Sequence, residues 1–141
     1  MIIRISDERI LDETRFSPKS LIRHVDEHFK EYINDERFNG IEYPSEEFTQ
    51  KYDEIADLLT RTKVSPSKSL NRYVGFINKD GMGVKYDRTT MDFVLYKHNS
   101  VTPGDPSVTV TMHKKSPSAY NNARRHSFKK EFSYNEQSKE Q

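Results

Sequence analysis

The chain has no cysteine and no tryptophan, and only five glycines and six prolines. Without cysteine there is no disulfide framework, no thiolate metal site and no thiol nucleophile. Without tryptophan, eight phenylalanines and eight tyrosines must supply most of the large buryable surface. No run approaches the ~20 apolar residues that cross a bilayer, so no membrane partner is expected. The opening MIIRISDERILDE turns charged after three residues and does not read as a signal peptide, which places the expected site of action in the cytoplasm. Glycine-rich phosphate loops are missing too, because GMG at 81–83 is too short for either glycine fingerprint and reads as a turn. There are no internal repeats.

What is present is charge. Hydrophobic residues make up 33% of the 141 positions and charged residues 32%, which suits one domain with a modest core and a wet surface. The net charge of +1 hides an asymmetry. Residues 1–60 hold 8 Lys and Arg against 15 Asp and Glu, a balance of −7; residues 61–141 hold 15 against 7, a balance of +8. The basic half could attract a polyanion, or the two halves could complement each other across the fold. Charge alone leaves both open.

The pattern begins with a short extended start over residues 1–16. Ser17 and Pro18 then suit an N-cap and a first helical residue, and Leu21, Ile22, Val25, Phe29, Tyr32 and Ile33 follow at helical spacing. After the connector DERFNGIEYP, Ser45 suits a second cap, with Glu46 and Glu47 in the first turn and Phe48, Tyr52, Ile55, Leu58 and Leu59 as the apolar stripe. From Arg72 the period shortens to that of strands. RYVGFIN, GVKYD, DFVLYKHN and SVTVTMHKK follow, the first closed by the turn signal NKDGMG. In the last run Val108, Val110 and Met112 alternate with Thr109, Thr111 and His113. The expected architecture is α+β: two N-terminal helices packed on a small antiparallel β-sheet of three to four strands. Residues 1–116 form that domain, and 117–141 form a basic polar tail, partly disordered, with a short helix around Ala119–Phe132.

His24 and His28, at i and i+4, share a helix face and could in principle share a metal. The zincin pattern places Glu directly after its first His, where Val25 stands here, and no metal or cofactor is expected. What remains is His, Thr, Tyr, Lys and Arg. That set suffices for metal-free RNA cleavage, which needs a base for the ribose 2′-hydroxyl, an acid for the leaving 5′-oxygen and cations for the phosphate. Histidine suits the first two roles. The strand TVTMHKK would present Thr109, Thr111 and His113 on one face beside Lys114 and Lys115. Its plain alternative is a solvated edge strand with a basic end.

Three segments, in this order, resemble nuclease toxins of the BECR superfamily, found at the tips of contact-dependent inhibition proteins, and more distantly colicin D-like tRNA-cleaving domains. HVDEHFKEY is similar to their first helix and PSEEFTQKYDEIADLL to their second; GMGVKYDRTTMDFVLYK and VTVTMHKK are similar to their sheet. The match covers roughly residues 20–115. It implies a metal-independent endoribonuclease acting on RNA, tRNA above all, as a toxin with an immunity or antitoxin protein as partner. By the same resemblance, His28 falls on the catalytic histidine and His24 on its companion. His28 would act as general base or acid, with His113 or His24 as counterpart. Thr111, Lys114 and Tyr86 would bind or stabilise the phosphate, with Arg23, Lys30, Lys85, Arg88, Thr90 and Lys115 as substrate contacts. Two glycines of the pattern are replaced here by Phe29 and Ile33. A chain opening at Met1 without a delivery region fits a stand-alone or mobile-element protein, or an excised domain, better than the tip of a large secreted toxin. The rival reading is a non-catalytic nucleic-acid- or protein-binding module from a mobile element, whose tail ARRHSFKK makes the contact.

Overall fold

The structure, a computed structural model, describes residues 18–97 and 109–132. The expected extended start, the Ser17 cap, the loop around TPGDP and the end of the tail lie outside these residues. Helix α1 runs from Pro18 to Tyr32 and buries Val25 and Tyr32 from its apolar stripe. The short 3₁₀ turn Glu36–Phe38 follows, capped by Asp35, whose carboxylate accepts the Arg37 amide. Helix α2, Glu46–Arg61, starts as expected at Ser45, whose hydroxyl accepts the Phe48 amide. Phe48, Tyr52, Ala56 and Leu59 are its buried apolar positions, spaced about one turn apart.

Strands β1 (Tyr73–Asn78), β2 (Gly83–Asp87), β3 (Asp92–Tyr96) and β4 (Thr109–Lys114) form a meander, as expected. The sheet has one strand more than the three to four expected. Helix α3 (Pro117–Ser127) is followed by β5 (Phe128–Lys130), which pairs antiparallel with β1 and gives the order β4-β3-β2-β1-β5. Residues 117–132 are therefore part of the folded body, where a polar tail with at most a short helix was expected.

The reason is burial on both sheet faces. One core joins Val25, Tyr32, Phe38, Phe48 and Tyr52 to Val94 and Met112. The other joins Val74, Phe76, Val84, Tyr86 and Phe93 to Tyr120 of α3. Strand β2 is consequently buried along its whole length, as strands covered on both faces are. A second difference lies in β4. The register with β3 slips by one residue, so that Leu95 faces Thr111 but Tyr96 faces Thr109. This irregularity sends Thr109 inward beside Met112, away from the face of Thr111 and His113.

Candidate active site

Helix α1 lies against the edge strand β4, and the two elements bring together histidines that are far apart in the chain. The imidazoles of His28 and His113 stack with ring centroids 5.2 Å apart and planes 21° off parallel. The His24 ring continues the row, 6.2 Å from that of His28. His28 Nδ1 lies 2.6 Å from Glu31 Oε2, and the other oxygen of the same carboxylate, Oε1, accepts the Lys114 amide at 2.8 Å. Glu31 thus holds both the ring and the strand that carries the second ring. His113 Nδ1 lies 3.2 Å from its own neighbour's carbonyl, that of Lys114. A carboxylate and a carbonyl can only accept, so each Nδ1 is assigned the proton and each neutral ring carries its lone pair on Nε2.

The surroundings separate the two rings. His113 rests on Phe93, 5.4 Å centroid to centroid, and the Lys115 ammonium lies 4.9 Å above the same ring. Burial lowers the His113 pKa from its ordinary 6.5, and the positive charges of Lys115 and His28 lower it further, against the opposing Lys114 carbonyl. His113 is therefore a neutral base at neutral pH. His28 keeps 23% of its side chain exposed, so the pair opens to solvent on the α1 side. Thr111 is half-buried and lies two residues before His113 on the same strand face, about 7 Å along it.

Lys114 points to the opposite face. Its ammonium binds Asp35 Oδ2 and the Thr90 carbonyl, both at 2.7 Å, and lies 3.5 Å from Asp92 Oδ1. Arg37 closes the ring through Asp35 and Asp92, at 2.7 and 2.9 Å. The Arg37 guanidinium bonded to Asp35, with burial opposing and Lys114 adding, holds that carboxyl well below the usual carboxylate range. Beyond this network a cleft of about 320 Å³ opens between α2 and the sheet, lined by Leu58, Arg72, Tyr73 and Asp87 among others. It does not contain the histidines. We place the candidate chemistry at the imidazole pair, because the cleft's charged groups are mutually neutralised: Arg72 forks onto Asp87 at 2.9 and 3.0 Å.

The other sequence candidates divide. Buried His24 bonds through Nδ1 to the Ser20 carbonyl at 2.9 Å and forms the inner end of the row. Tyr86 is buried behind the site, and its hydroxyl donates to the Lys115 carbonyl at 2.6 Å. Thr90 sits in the β2–β3 turn with its hydroxyl on Asp92. Lys85 is fully buried; its ammonium donates to the carbonyls of Thr60 and Thr62 at the end of α2, both at 2.8 Å, which makes it a helix cap out of reach of a substrate. Arg23 and Lys30 are exposed on the solvent side of α1, roughly 140° and 160° round from His28 at ~100° per residue. Arg88 and Lys115 lie on the His113 side of the sheet and are half-buried. Sequence reasoning missed Glu31. Its signal was the i+3 spacing from His28, hidden among the other acidic residues of RHVDEHFKEY.

Among the described residues no group of three or more His, Asp or Glu is placed as metal ligands would be, and no helix is long and apolar enough to cross a membrane. The fold and site define an α+β body with an imidazole pair at a sheet edge. No protein family, curated protein or solved structure matches the chain at a significant level.

Proposed function

We propose that the chain is a metal-independent endoribonuclease that acts in the cytoplasm as a toxin, with an immunity or antitoxin protein as its natural partner. The observation that carries this reading is the pair His28–His113, two imidazoles 5.2 Å apart with each Nδ1 engaged and each Nε2 left to exchange protons. In this reading His113 Nε2 takes the proton of a ribose 2′-hydroxyl, and the oxygen attacks the adjacent phosphorus. The bond to the 5′-oxygen breaks, and the imidazolium form of His28, protonated on both nitrogens, gives that oxygen its Nε2 proton while Glu31 holds Nδ1. The products are a 2′,3′-cyclic phosphate and a 5′-hydroxyl. Lys115 and Thr111, beside His113, supply charge and a hydroxyl for the phosphate oxygens.

The test is cleavage of RNA, tRNA first, in the presence of EDTA, with the 3′ end identified as cyclic phosphate. His28→Ala and His113→Ala should each reduce cutting by at least ~10²-fold while circular dichroism stays unchanged. Protein inert on every RNA, or undiminished variants, would sink the reading. One observation favours the rival, a non-catalytic nucleic-acid-binding module: the half-buried cations Arg88, Lys115 and Arg124 have no carboxylate partner among the described residues. Growth arrest on expression in bacteria, relieved by His28→Ala, separates the two, since a binding module does not need that imidazole.

A further inference from the structure

The ion pairs of this chain are unevenly distributed. On the side of α1 and α2, Arg37, Arg61, Arg72 and Lys114 each contact a carboxylate. Across the sheet, Arg88, Lys115 and Arg124 have none among the described residues, although all three are half-buried. Cations with restricted solvent normally find a counter-charge, and three grouped together repel one another.

They are grouped by the packing of α3. Tyr120 stacks on Tyr86 with ring centroids 4.5 Å apart. This brings the helix turn that carries Arg124, four residues after Tyr120, over the end of β2, where Arg88 follows two residues after Tyr86. The Tyr86 hydroxyl in turn holds the Lys115 carbonyl, and Lys115 shares the Phe93 ring with His113. Burial raises the pKa of the Tyr120 hydroxyl and the Glu131 carboxylate adds to this, while the charges of Arg124 and Arg88 oppose it, so both arginines act on that ring pair. Arg124 Nε is also left without a hydrogen-bond acceptor.

We infer that Lys115, Arg88 and Arg124 form a phosphate-binding track for an RNA strand, leading from the imidazole pair across the α3 face of the sheet. The inference rests on the ribonuclease reading for its ligand, an RNA backbone, and extends it by placing the flanking nucleotides. Lys115 takes the phosphate nearest His113, and the two arginines take phosphates farther along, two strand spacings or about 10 Å away. Arginine suits this role because its fork can meet two phosphate oxygens together.

The experiment measures binding without cleavage. A labelled oligoribonucleotide with methylated 2′-hydroxyls cannot be cut by 2′-attack, and its affinity for the full chain is followed by fluorescence anisotropy over a range of salt. The double variant Arg88→Gln/Arg124→Gln should lower the slope of log affinity against log salt by about 1.4, at ~0.7 for each lost phosphate contact on a single strand. Arg88→Lys/Arg124→Lys, which keeps the charge, should retain most of the slope. Lys79→Gln/Lys129→Gln, two exposed cations at the far hairpin and far edge, should leave it unchanged. Equal losses in the near and far double variants, or loss in the lysine pair as well, would overturn the track. So would absence of binding by the wild-type chain. None of these results touches the cleavage assays on His28 and His113, so the track can fail while the nuclease reading stands.

Discussion

Glu31 joins the two halves of the candidate site through one carboxylate, with Oε2 on the His28 ring and Oε1 on the Lys114 amide. Glu31→Gln keeps the size but lets the side chain turn its amide toward Nδ1, which no longer fixes the tautomer. We expect cleavage to fall by about 10²-fold with RNA affinity retained, read as kcat against KM. In the ribonuclease reading, His113 sets the pH response. Its pKa is lowered by burial, so the acidic limb of the pH–rate profile should lie below 6.5 and move up toward it in Phe93→Ala, which opens the ring to water. The stability consequence has the same sign: below 6.5 the unfolded chain binds a proton that the folded chain refuses. This contribution is complete above 6.5 and is lost as pH falls from there through the lowered folded value. A thermal melt series between neutral and mildly acid pH reads it directly.

Helix α2 and strand β2 are tied by Lys85, which caps the carbonyls of Thr60 and Thr62 and lies between the rings of Tyr96 and Phe132, 5.5 and 5.4 Å from their centroids. Lys85→Ala leaves buried acceptors unmet and should destabilise the fold by about 3 kcal/mol in denaturant melts. Any loss of activity in that variant would follow from unfolding. Lys114 carries a similar warning. It neutralises Asp35 and Asp92 from the end of β4, and Lys114→Ala should cost about 3–5 kcal/mol by stranding those carboxylates. The loss should concern the fold before the chemistry. Gly83 serves packing in another way: a Cβ there would meet the Tyr96 ring at 2.5 Å, so Gly83→Ala should destabilise by about 1–3 kcal/mol.

The body is a sheet covered on both faces, and α3 is the second cover. Tyr120 is fully buried, and its hydroxyl donates to the Ser67 carbonyl at 3.1 Å. Glu131 binds the amide and hydroxyl of the same serine, both at 2.8 Å. Removing residues 117–141 therefore uncovers Val74, Phe76 and Tyr86, and should cost at least the ~3–5 kcal/mol of one large aromatic deletion. A truncated chain that still melts cooperatively at the full-length temperature would contradict this packing. The charge asymmetry is met in part across the fold: Lys114 meets Asp35 and Arg37 meets Asp92 across the halves, while Arg88, Lys115 and Arg124 contact no carboxylate among the described residues.

Periodicity and capping chemistry were enough to place two helices and four strands, because the Ser45 cap, the stripes of α1 and α2 and the turn NKDGMG act within a few residues. The face shared by His24 and His28 was legible for the same reason, as was the basic end of β4. Nothing local could show β5, which is three polar-rich residues made a strand only by β1 beside it. Lys85 and Lys114 looked like substrate cations, since a sequence shows charge and hides burial; the sheet turned both inward onto carbonyls and carboxylates. The meeting of His28 with His113 also depended on the fold. Eighty-five positions separate them, and only the docking of α1 on an edge strand, held by Glu31, sets their rings side by side.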